Sequence, residues 1–358
     1  MSGVSVDIAV PDDWHVHLRD DDLLHAVAPF TARWFRYALV MPNLVPPITT
    51  VEEAVRYRQR ILDAVGPGAP ESFQPLMTLY LTEGLRPDEV RWGFEQGVVA
   101  GVKYYPAGAT TNSEHGGTSL LDVGPVLDAL VELDVPLLVH AESTDPAVDV
   151  FDRERHFLDH QLAPVVAARP ELRVTVEHVS TRAGVDFVTT HDSVCGSITP
   201  HHLACDRTDL LANGLRPDLY CKPIINSPDD REALVEAATS GSPSFFLGTD
   251  SAPHPQADKY AERAKAGIFN APFALPVVAE VFHGRRRLDR LEGFASHHGC
   301  RAYGFEPSAE RLRLTRRAPM DGEPIVDEVT TSGGDVVRIF GTAEARRWSL
   351  ERLAPSAV

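Results

Sequence analysis

Eight times along roughly the first 250 residues, a short β-rich run gives way to a helical or looped segment. The runs are Asp7–His15, Arg36–Met41, Gln74–Leu81, Val98–Tyr104, Val135–His140, Leu172–His178, Val194–Thr199 and Ser244–Gly248. Several are almost wholly apolar, Val135-Pro-Leu-Leu-Val139 among them, as parallel strands covered on both faces require. The segments between them carry helix-start signals. Thr50-Val-Glu-Glu53 is a capping box opening Val51–Val65, and Pro87-Asp88-Glu89 puts proline and acids in a first turn. Eight such alternations predict an α/β fold closed as a (β/α)8 TIM barrel rather than an open doubly wound sheet. The whole chain, 1–358, is expected to form one domain. Its tail from about Glu306, with a β-like stretch at Asp335–Phe340, would pack outside the barrel as a small C-terminal extension.

Charge narrows the partners. With 34 basic and 51 acidic residues the formal net charge is −17, so a nucleic-acid backbone is not an expected partner. An anionic substrate would have to be captured by local cations against that global field. No apolar run reaches the length of a membrane span, and residues 1–10 lack the basic and apolar regions of a signal peptide. The four cysteines (Cys195, Cys205, Cys221, Cys300) form no C-x-x-C pair, which fits a reducing cytoplasmic compartment.

Trp14-His15-Val16-His17-Leu18-Arg19 is the sharpest local feature. Residues i and i+2 of a strand share a face, so His15 and His17 can point together into a barrel mouth as half of a zinc site. Alone, the pattern also suits two ordinary half-buried histidines. Position adds weight. His140 and His178 close the fifth and sixth runs, Asp250 follows the eighth, and Lys103 lies near the end of the fourth. Barrel active sites form where strands deliver their C-terminal ends, so all these residues converge on one rim. A lysine inside an apolar strand also demands a reason, because burying an unpaired ammonium is costly. His201 and His202, after the seventh run, read as supporting or structural residues. Two loops are longer than connection requires: Pro106–Thr118, rich in glycine, and Ser251–Pro272.

These stretches resemble the dihydroorotases of the single-barrel bacterial type, within the amidohydrolase superfamily. The matching segments are Pro11-Asp-Asp-Trp-His-Val-His-Leu-Arg19, Val40-Met-Pro-Asn43, Lys103-Tyr-Tyr-Pro106, Ala109-Thr-Thr-Asn112, Leu138-Val-His140, Glu177-His178, Tyr220-Cys221, Gly248-Thr-Asp-Ser-Ala-Pro-His254 and Phe269-Asn-Ala-Pro272. They span about three quarters of the chain in consistent order. The resemblance implies reversible cyclisation of N-carbamoyl-L-aspartate to L-dihydroorotate in pyrimidine synthesis. It implies two Zn2+ ions, one held by His15, His17 and Asp250 and the other by His140 and His178. Lys103, carboxylated on its ε-nitrogen, would bridge them, and Asp250 would move the proton between water and ring nitrogen. Arg19, Asn43 and His254 would hold the substrate carboxylate, with His17 and His140 also against substrate. Lys222 and Ala266 would contact it through their main chain, and Thr110 and Thr111 from a mobile loop with glycines at 108, 116 and 117. Lys222 departs from the leucine expected there, and Pro255–Lys265 matches least well. A homodimer is implied as well. The alternatives are another cyclic amidase, such as a hydantoinase or dihydropyrimidinase lacking the carboxylate clamp, and an inactive barrel kept as a scaffold.

Overall fold

The computed structural model describes residues 3–117, 119–317 and 327–354. Thr118, at the end of the first long loop, and residues 318–326 and 355–358 of the tail lie outside these, as do residues 1–2.

Eight parallel strands follow one another in sheet order: Asp13–Val16, Tyr37–Val40, Gln74–Tyr80, Val99–Tyr104, Leu137–Val139, Val174–Val176, Val194–Ile198 and Phe245–Leu247. The eighth returns to the first through a parallel bridge between Val16 and Ser251. His17 N donates to Ser251 O (3.0 Å) and Asp250 N to His15 O (2.8 Å). Alternation along the strands sorts the core. Ala38, Val40, Leu137, Val139, Val174 and Val176 face the helices, while Leu39, Leu138 and Phe246 point inward to meet Trp14 and Tyr303. Trp14 and Tyr303 stack at 4.4 Å between centroids and fill the barrel interior below the rim. The capping box read at Thr50 is present, with Glu53 accepting from Thr49 N and Thr50 N, and the helix runs Val51–Val65.

The first expected run, Asp7–His15, is corrected. It is two elements, the outer strand Val4–Ala9 and the barrel strand Asp13–Val16, separated at Val10-Pro11-Asp12. Pro11 has no N–H to give a ladder, and the chain changes sheet there. The outer strand pairs antiparallel with Arg311–Arg316, which pairs with Trp348–Arg352 in a three-stranded sheet separate from the barrel. Val336–Arg338 pairs with Glu328–Thr330 in a second small sheet. The Ser251–Pro272 loop is not wholly irregular either, since it contains the short helix Gln256–Lys259. No helix among the described residues is long and apolar enough to cross a membrane.

Candidate metal centre and substrate pocket

All six predicted metal ligands stand at the C-terminal rim, delivered by five of the eight strands. His15 follows Trp14 where the first barrel strand's register shifts, and His17 lies just past the strand's end, their Nε2 atoms 3.2 Å apart. Asp250 Oδ1 lies 3.3 Å from His15 Nε2 and 3.2 Å from His17 Nε2. On the other side His140 Nδ1 lies 3.2 Å from His178 Nε2, and the His15 and His178 rings are 4.9 Å apart. Lys103 is fully buried between them, its ammonium beneath Tyr105 (4.5 Å to the ring centroid) and paired with Glu177.

Backbone geometry aims two of these residues. His178 has φ 45° and Asp250 φ 43°, the left-handed region that side chains with a Cβ rarely adopt. Thr175 and Glu177 have the inward parity of the sixth strand, so in extended backbone His178 would face the helices. The left-handed turn brings consecutive residues, Glu177 and His178, to the same cavity. Gly248 leaves room for His15, for a Cβ there would stand 3.0 Å from the histidine Cβ and 2.9 Å from that of Ser197.

Electrostatics separate the two imidazoles of the first pair. Burial opposes charge on His15, but Glu177 Oε1 at 2.8 Å and the Asp250 carboxylate outweigh it and push its pKa up to about 9. Burial dominates at His17, lowering it to about 4, and holds His140 and His178 below the ordinary value too. Burial would raise Asp250, yet hydrogen bonds from His15 and His17 keep it well below the usual carboxylate range. Burial also pulls Lys103 downward, with Glu177 opposing.

The donor set fits a divalent cation. Three lone-pair atoms, His15 Nε2, His17 Nε2 and Asp250 Oδ1, face one another at 3.2–3.3 Å, an arrangement that needs protons or a cation between them. His15, Glu177 and His178 form a second group able to converge on one ion. A third, His201, His202 and Cys221, is differently committed. His202 bonds Thr199 Oγ1 (2.8 Å) and Pro223 O (3.1 Å), the structural role expected from its position. His201 Nδ1 meets Asn270 Nδ2 at 3.1 Å.

Beside these ligand-type side chains lies a narrow pocket lined by the predicted substrate residues His17, Arg19, Asn43, Thr110, Thr111, His140, Lys222 and Ala266. Arg19 sends one nitrogen to Pro253 O (3.0 Å) and holds another 3.0 Å from His254 Nε2. The His254 ring also approaches Ala266 O (3.0 Å). Asn43 is not a free clamp here: its Oδ1 lies 2.8 Å from His17 Nδ1, and its Nδ2 donates to Thr111 O (3.0 Å). Asn112 Nδ2 returns a bond to Asn43 O (3.1 Å), so the Pro106–Thr118 loop rests directly on the site. The Lys222 ammonium donates to Glu142 Oε1 (2.6 Å), whose Oε2 lies 2.9 Å from His140 Nε2.

Glu177 and Glu142 join the site beyond the residues expected from the sequence. Glu177 adjoins His178 and its strand parity points it inward; nothing local distinguishes Glu142.

The amidohydrolase family model matches residues 10–318. The chain is 47% identical to a dihydroorotase of Nitrosomonas europaea over 341 residues, covering 95% of this chain and 96% of that relative. It superposes on the crystal structure of dihydroorotase in complex with 5-fluoroorotic acid from Saccharomyces cerevisiae with a TM-score of 0.86, at 30% identity over 97% of this chain and 98% of that one. An L-hydantoinase of Arthrobacter aurescens is similar in fold at a TM-score of 0.73 and 18% identity, covering 88% of this chain and 77% of that one.

Proposed function

The chain belongs to the amidohydrolase family, and within it to the dihydroorotases; from that membership we propose how its residues divide the work of interconverting N-carbamoyl-L-aspartate and L-dihydroorotate. His15, His17 and Asp250 would hold one Zn2+ ion and His140 and His178 a second, with carboxylated Lys103 between them. When bound, such a pair supplies the positive charge that polarises an amide carbonyl and acidifies water. To become that bridge Lys103 must lose its ammonium proton, add carbon dioxide through the neutral amine and release a second proton. Burial favours the first of these steps.

In ring opening, water adds to the ring amide carbonyl carbon. Asp250 accepts one of its protons and hands it to the ring nitrogen as the carbon–nitrogen bond breaks; the other is released to solvent, leaving a carboxylate and the ureido group. Ring closure reverses each transfer. Arg19 and His254 receive the carboxylate that does not react, the guanidinium fork matching its geometry. Asn43 joins them once Thr111 releases its amide, so loop movement and substrate capture are linked. Lys222 and Ala266 offer main-chain groups to the ring. We place the enzyme in the cytoplasm, where its four free cysteines suit a reducing medium.

The observation that carries this reading is the convergence of six ligand-type side chains from five strands beside an arginine-capped cavity. Purified protein supplied with L-dihydroorotate and, separately, with dihydrouracil should turn over the first and leave the second nearly untouched. Turnover of the uncharged ring alone would overturn the reading in favour of a hydantoinase or dihydropyrimidinase.

A further inference from the structure

Lys259 is a buried cation with no place in the chemistry above. It closes the helix Gln256–Lys259, inside the stretch that the family resemblance covers least well, and is only 5% exposed. Its ammonium donates to Tyr220 O (2.7 Å) and Gly267 O (2.6 Å). No carboxylate among the described residues forms an ion pair with it; Asp218, whose field reaches it, accepts instead from the Tyr260 hydroxyl (2.9 Å). An ammonium withdrawn from water without an anion is unfavourable, and something must offset that.

The two carbonyls it joins belong to adjacent main-chain segments that lead into the substrate cavity. Tyr220 stands two residues before Lys222, and Gly267 follows Ala266. Gly267 N itself donates to Tyr220 O (3.0 Å), so the ammonium completes a main-chain cross-link already begun. Gly267 has φ 149°, and a Cβ there would fall 2.4 Å from Ala252 O and 2.9 Å from His254 Cδ2. The strap is therefore packed between Lys259 on one side and His254 on the other. The lysine's charge also reaches the anion-binding end, where burial, Arg19 and then Lys259 keep His254 uncharged. Arg19 and Lys259 are left as the cations of that region, in a chain whose net charge is −17.

We propose that Lys259 is a positioning residue for the anionic end of the substrate. It ties Tyr220 to Gly267 so that the main chain of Lys222 and Ala266 stands against the ring, and it leaves an unbalanced positive charge behind Arg19 that favours the carboxylate. The inference rests on the substrate reading above.

Two variants test it: Lys259→Met, which removes charge and donors, and Lys259→Gln, which keeps a donor without the charge. Binding of 5-fluoroorotate is measured by calorimetry, with KM and kcat for dihydroorotate, metal content and melting temperature alongside. Loss of a charge-assisted contact should weaken 5-fluoroorotate binding and raise KM by about tenfold or more in Lys259→Met, with kcat and metal content near those of the parent. Lys259→Gln should recover melting temperature but not affinity. Parent-like 5-fluoroorotate affinity in either variant, or a defect confined to kcat, would overturn the proposal. Should the unaltered enzyme neither bind 5-fluoroorotate nor turn over dihydroorotate, it is the substrate reading that fails.

Discussion

His178 illustrates what a single residue contributes and what its neighbours in sequence conceal. Its type and its place at a strand end were readable, but its orientation depends on a left-handed φ that no pattern announces. His15 and His17 were legible because their spacing follows strand alternation, and Lys103 because an ammonium in an apolar strand needs an explanation. Glu177 is marked in the sequence by strand parity alone, since its partners lie far away, Lys103 being 74 residues distant. The lysine at 222 was legible as a departure, but its destination, Glu142, was not: an ion pair across 80 residues has no local signature. At this scale the decisive substitution is Lys103→Ala. It should abolish nearly all turnover and some bound metal, and short carboxylic acids should restore part of both by standing in for the carbamate. Near-normal turnover in the untreated variant would remove Lys103 from the bridge. Glu177 would then have lost its buried ammonium, so melting temperature is the control for general damage.

Elements were read with more success than their ends. The eight barrel strands match eight expected runs, yet several are shorter than expected, Leu137–Val139 for Val135–His140 among them, where Pro136 has no N–H to give the ladder. Only the first was split, at a proline that moves the chain from one sheet to another. One helix-to-strand junction carries a pH dependence. Glu154, on the helix Arg153–Phe157, accepts from Ser180 N (2.9 Å) and from the Thr181 hydroxyl that caps the helix Arg182–Thr190. Burial raises its pKa from 4.5 to about 7, against those hydrogen bonds. The folded state therefore holds this proton more tightly than the unfolded chain does. That contribution to stability is complete below about 4.5 and disappears as pH rises through 7. Glu154→Gln copies the protonated acid, so its stability relative to the parent should improve by roughly 2 to 3 kcal/mol between pH 5 and pH 8. Urea denaturation at the two pH values measures this; a constant difference between the proteins would show that Glu154 does not titrate in the folded state.

Taken as a whole, the molecule was the most legible of the three scales, since eightfold alternation admits few closed solutions and the rim position of the ligands follows from the barrel. What alternation could not reveal was the outer sheet that joins Val4–Ala9 to Arg311–Arg316. The donor set also links metal to global stability. An ion that binds only the folded state adds about 4 kcal/mol at a thousandfold excess over Kd. Dialysis against a chelator should accordingly lower the melting temperature by several degrees and remove activity, and zinc should return both. An unchanged melting curve would mean that the donors hold no ion strongly.

The pairing of Val4–Ala9 with Arg311–Arg316 also bears on how the chain is made. During synthesis the Val4–Ala9 segment has no ladder partner until some three hundred further residues have followed it. At about 5 to 20 residues per second, that wait is some 15 seconds to a minute. Throughout it an edge bearing Val4, Val6 and Ile8 stands open to solvent. Nascent chains stalled before Arg311 should therefore be the ones that engage chaperones.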